Sequence, residues 1–168
     1  MSKVSIQKFH DLESVPRSLC DEMVALTEAI RQRAFSVFQS RNGENGSDLQ
    51  DWLGAERELL WTPTSELVEQ DDEIRLRVAL PGFDPAEIDV TVTPGALVVK
   101  AENVKHTHHS DEPDVRFCEF SAKKVFRRIE MPAPIDLDKV SASLDKGMLQ
   151  VTAAKAAQPK AKAGSATA

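Results

Sequence analysis

The chain has 168 residues, 41% of them apolar, and a formal net charge of −6, which suits one main domain with attachments. The acidic balance argues against general nucleic-acid binding, which needs a basic face, and no apolar run reaches the ~18 residues of a membrane span. Cys20 and Cys118 lie far apart and form no CxxC or zinc spacing, so a reducing cytoplasm is the simplest compartment.

Residues 1–18 show no sustained period and no signal-peptide pattern, and read as a flexible N-terminal arm. From Asp21 a helical spacing begins. Met23, Leu26, Ile30, Ala34 and Val37 fall on one face, and Asp21 and Glu22 sit where the helix dipole favours negative charge. Asn42-Gly43 stops that helix, and Ser47-Asp48-Leu49-Gln50 reads as a capping box opening a second one. The second helix carries Leu49, Trp52, Leu53 and Leu60 as its apolar stripe, interrupted by Glu56. Residues 19–60 thus predict a helical hairpin.

The β region opens at Trp61-Thr62-Pro63, with a short strand over Ser65, Leu67 and Glu69 and a turn at Asp71-Asp72. In the next strand Ile74, Leu76, Val78 and Leu80 share one face, and Pro81-Gly82 ends it. Ile88, Val90 and Val92 alternate in turn with Asp89 and Thr91, and Pro94-Gly95 leads into a strand over residues 96–100. Short strands at this spacing predict an antiparallel sandwich. A polar irregular stretch from Asn103 precedes a second extended run at residues 115–120. Then comes the basic strand KKVFRRIE, closed by Met131-Pro132. Counting by two sets Arg127 on the face of Val125, Ile129 and Met131, so a charge turns toward apolar neighbours and calls for a partner acid. A bulge would instead leave it a solvated strand arginine. The last pair of strands, SASLDKGMLQV, hinges at Gly147.

RVALPGFDPAEIDVTV, then KKVFRRIEMP, then Ala142 followed by Gly147-Met148-Leu149 resemble the α-crystallin domain of small heat-shock proteins, over residues 61–155. The resemblance implies a mainly β, immunoglobulin-like antiparallel sandwich and a cytoplasmic chaperone that holds unfolding client proteins. It also implies no enzyme activity and no cofactor. The hairpin stretch RAFSVFQSRNGENGSDLQDWLGAERELL resembles a short bacterial module of unknown function, with Asp48, Trp52, Ala55, Glu56, Glu58 and Leu59 on its positions. That match brings no activity with it, and the plainer reading of these residues is that Trp52 and Phe35 pack the two helices together. A p23-like co-chaperone shares the sandwich and stays the alternative reading.

The resemblance further implies where partners bind. The strands of Ile88, Val90 and Val92 and of Val140, Ala142 and Leu144 border an apolar groove that receives an isoleucine-x-isoleucine segment. The tail, residues 156–168, holds no such segment and reads as a disordered extension rich in Ala and Lys. Val4-Ser5-Ile6 is the candidate substitute, because branched side chains two apart project to one side of a strand. The arm is alternatively an unremarkable disordered one. Residues Val115, Phe117 and Glu119, with Arg127, are expected at a dimer interface formed by strand exchange, against the alternative of a hairpin within one chain. His106, His108 and His109 lie near Asp111, Glu112 and Asp114, but a polar loop gives zinc no rigid convergent ligands. Cys118 lies in no nucleophile motif, and neither GxxxxGK[ST] nor GxGxxG occurs.

Overall fold

Alternating apolar and polar side chains draw most of the β region into strands. In the computed structural model, which describes residues 2–11, 16–41, 46–103 and 123–157, these strands form two facing sheets. The elements in order are β1 (Ser2–Lys3), β2 (Ser5–Lys8), α1 (Arg17–Ser40), α2 (Asp48–Leu59), β3 (Ser65–Glu69) and β4 (Glu73–Ala79). They continue with β5 (Ile88–Thr93), β6 (Ala96–Asn103), β7 (Lys123–Glu130), β8 (Ile135–Asp145) and β9 (Met148–Lys155). One sheet has the order β1-β8-β9-β4-β3 and the other β2-β5-β6-β7. Their inner faces supply a core in which Ile74, Leu76, Val78, Val90, Val99 and Leu149 are fully buried.

Two turns depend on backbone that only glycine adopts easily. Gly82 (φ 86°) follows Pro81 and lets the chain leave β4, and its carbonyl accepts a 2.6 Å bond from the Asn103 side chain. Lys146 (φ 49°) and Gly147 (φ 76°) make the two-residue turn between β8 and β9. Positive φ at both central positions matches the right-handed twist of the flanking strands.

The sandwich agrees with the sequence reading, and four details differ. The arm expected to be mobile contributes β1 and β2, and the β2–β5 pairing is parallel in an otherwise antiparallel fold. The first helix starts at Arg17 and not Asp21, because Pro16 presets the entry (φ −55°) and no acidic residue falls in the first turn. The strand after Pro94-Gly95 runs on to Asn103, three residues past Lys100, paired with β7 throughout. The helical stripes are only half used. Ile30, Ala34 and Ala55 are buried, with Leu26, Trp52 and Leu60 against them, whereas Met23, Leu49 and Leu53 remain exposed.

Of the capping box expected at α2 the structure shows the N-cap half, the Ser47 hydroxyl accepting from the Gln50 backbone amide at 3.2 Å. The hairpin is also clamped by charge. Asp51, 6% exposed, takes both Nη atoms of Arg41 at 2.6 and 2.5 Å. Arg33 donates to Glu58 across the helices at 2.5 Å and holds that carboxyl below the usual carboxylate range. This exposed link contributes above the carboxylate range and is lost as the pH falls through it. Glu22 of α1 reaches Lys100 on β6 at 2.7 Å and Lys124 on β7 at 3.7 Å, tying the hairpin to the sandwich.

Candidate functional site

The sheets leave two edges side by side, β5 in one and β8 in the other. From β5, Ile88, Val90 and Val92 turn inward; from β8, Val140, Ala142 and Leu144 do the same, and all six are buried. Unpaired strand edges with apolar side chains between them invite another strand. Here the N-terminal arm supplies it. Residues 2 and 3 pair with Leu144 and Ser143 of β8, and the Val4 amide donates to the Ala142 carbonyl at 3.2 Å. The arm then changes sheets. Ser5, Ile6, Gln7 and Lys8 run parallel to Asp89, Val90, Thr91 and Val92, and the Phe9 amide closes on the Val92 carbonyl at 2.9 Å.

Val4 stands at the crossing point. It is 6% exposed and joins the main core, and Ile6 packs against that core from two residues further on. One short segment therefore caps both edges and fills the space between them. Thr91, which alternation alone turns outward, is also buried.

The far side of the sandwich ends in β3 and β7. The chain crosses there through residues 61–64. The Trp61 amide donates to the Lys124 carbonyl at 2.8 Å, its ring stacks on Phe83 (centroids 6.2 Å apart), and the Lys123 ammonium lies 4.6 Å above it. Arg127 pairs with Val99 in the register and shares the inward face of Val125, as alternation requires. Its Nη1 donates to the Pro63 carbonyl at 2.7 Å, so it steers the crossing segment; a carboxylate partner is not found among the described residues. Arg128 points the other way to Glu130 at 2.8 Å. Arg127→Ala should therefore lower stability by about 1–2 kcal/mol through one lost charge-assisted bond. Arg128→Ala, whose pair is exposed, should change it little. Denaturant midpoints of the two variants are the check, and equal midpoints would contradict this assignment.

Gly147, Met148 and Leu149 lie together at the β8–β9 turn, with Ala142 paired to Val151 further along the same two strands. The Gly147 carbonyl accepts from the Leu80 amide at 2.7 Å, joining this turn to the Pro81-Gly82 turn. Val115, Phe117, Glu119, Cys118, the three loop histidines and the tail from residue 158 lie outside the described residues. No group of three or more potential metal ligands occurs among the described residues. No helix there is long and apolar enough to cross a membrane. The Trp61–Phe83 stack and the Glu22–Lys100 tie had no sequence signal, because each joins residues distant in the chain whose own surroundings are ordinary.

Comparison with known proteins identifies the frame in which this groove sits. The profile of the Hsp20/alpha crystallin family matches residues 66–166, and that of a protein family of unknown function (DUF2934) matches residues 25–60. The 26.7 kDa chloroplastic heat shock protein of Oryza sativa is 34% identical over 92 residues, which cover 54% of this chain and 38% of that protein. Among solved structures, heat shock protein 16.0 of Schizosaccharomyces pombe superposes with a TM-score of 0.52 at 28% identity, covering 61% of this chain and 79% of that one. A small heat-shock protein of Xylella fastidiosa, described as having a distinct high order structure, gives 0.51 at 29% identity over 61% and 93%.

Proposed function

Since the chain belongs to the Hsp20/alpha crystallin family, a family of small heat shock chaperones and not of enzymes, we propose that it is an ATP-independent holdase. It binds unfolding proteins and keeps them from aggregating. The observation that supports this reading is the apolar groove between β5 and β8, covered by a single short strap. Burial of Val4 and Ile6 supplies about 3 kcal/mol gross and the backbone bonds to β5 and β8 add to it, against an entropic cost of ordering residues 2–8 that offsets most of the gain. The strap is thus held weakly, and warming favours its release. A bare groove with two strand edges then suits the extended, branched-apolar segments that unfolding proteins expose.

The second surface is the edge of β3, where Leu67 and Val68 are exposed. Residues 115–120 of a partner chain, with Val115, Phe117 and Glu119, complete that edge in our reading. Arg127 supports the interface by fixing residues 61–64 beside it. Excising residues 103–120 should halve the mass measured by light scattering, and an unchanged mass would rule out strand exchange.

The function is tested by aggregation suppression. Near-stoichiometric amounts of the protein should slow the heat aggregation of a model client such as citrate synthase, equally with and without ATP. Absence of suppression at several-fold excess across a range of temperatures would sink the holdase reading, and suppression only with ATP would refute its ATP independence.

A further inference from the structure

Nine large apolar side chains are exposed among the described residues, and seven of them lie on α1 and α2. The most concentrated are Phe35 (57% exposed) and Phe38 (41%), whose rings stack with centroids 6.3 Å apart. With Ala34 and Trp52 they wall a concavity of about 350 Å³, to which Arg31, Asp48 and Asp51 also contribute. Asp51 is committed to Arg41, whose guanidinium lies 5.7 Å from the centre of the Phe38 ring. Beneath this face the buried apolar residues of the hairpin, among the described ones, are Ile30, Ala34 and Ala55, a small core for two helices of 24 and 12 residues. An aromatic face of this kind on a small module is an interaction surface.

We propose that this face packs against the same face of a second copy, two hairpins forming a four-helix bundle about a two-fold axis. The order of charge along the face selects this occupant. Arg31 lies one turn before Phe35 in the middle of α1, whereas Asp48 opens α2 just past the C-terminal end of α1, since Arg33 meets Glu58 and Arg41 meets Asp51 across the helices. A two-fold axis between Phe35 and Phe38 runs the two α1 helices antiparallel. It sets Arg31 of each copy against Asp48 of the other, with the four phenylalanine rings between them. Glu28 takes the Nε and Nη2 of Arg31 and leaves Nη1 for such a contact. An unfolding client brings no fixed order of charge to match both sides of the aromatic rings, while a second copy turned about the axis brings the same charges in reverse order.

The test is the mass of the full chain by light scattering. Phe35→Ser with Phe38→Ser should roughly halve it. Both rings are exposed in the single chain, so the hairpin should keep its helical circular dichroism, which is recorded alongside. Combined with excision of residues 103–120, the same pair should give monomers. Arg31→Asp and Asp48→Arg should each lower the mass, and the two together should restore it. An unchanged mass for the phenylalanine pair overturns the proposal; if client protection falls instead, the face serves clients. Single charge reversals without effect, or a double reversal that fails to restore the mass, overturn the two-fold pairing.

Discussion

Replacing Val4 and Ile6 together by serine is expected to release residues 2–8 and bare the edges of β5 and β8. The two side chains supply the strap's apolar burial, and the backbone bonds along residues 2–9 do not outweigh the entropy of ordering them once that burial is gone. The sandwich itself should stay folded, since its fully buried residues lie on β4, β5, β6, β7 and β9 and at Leu80 just after β4. Hydrogen exchange is the measurement: amides of residues 88–93 and 140–144 should lose protection by roughly ten- to a hundred-fold. The onset of client protection should move to a lower temperature, because the groove no longer waits for the strap. Unaltered exchange in both strands would show that the strap is held by something other than these two side chains. Unaltered onset with faster exchange would show that the groove is not where clients bind.

Gly147→Val should have the largest effect on stability of any single change considered. The residue sits at φ 76°, and a Cβ there would lie 3.0 Å from the Pro81 Cα and 3.6 Å from the Leu80 carbonyl oxygen. A β-branched side chain resists positive φ, and the atoms it meets are backbone, which cannot swing aside. A loss of about 3 kcal/mol is expected, which lowers the melting temperature by roughly 10–15 °C in a domain of this size. Gly147→Ala should lose less, because it keeps the strain but not the branched bulk. Gly95 serves as the control, since a Cβ there meets nothing within 4 Å. A melting temperature for Gly147→Val within 3 °C of the unaltered protein would contradict the strain argument.

Much of this was legible in the chain because the physics is local. Alternation placed Ile74, Leu76 and Val78 and then Val90 and Val92 on core faces, and each is buried. Ser47 announced its own helix start through a side chain that reaches three residues along. Arg127 could be assigned to the inward face by counting, but not to its acceptor. Pro63 lies 64 positions away and offers a carbonyl, which no pattern of residue types marks. The arm was read two ways, as flexible and, at Val4-Ser5-Ile6, as a segment able to lie extended in the groove, and the chain could not decide between them for a related reason. Residues 2–8 are too short to show a period, and they become strands only because two edges built elsewhere receive them. The unused halves of the helical stripes show the converse limit: a periodic face says that something apolar should cover it, not that this chain does so.

The pairing of Ser2 with Leu144 and of Ile6 with Val90 also fixes an order of events during synthesis. At about 5–20 residues per second, the arm is finished several seconds before β5 has been made, and longer still before β8. It is built early and seated late, after a closure spanning nearly the whole chain. Each new copy therefore passes through an interval in which the sandwich has both edges open and the arm is adrift. During that interval the space between β5 and β8 is open to any extended segment that reaches it.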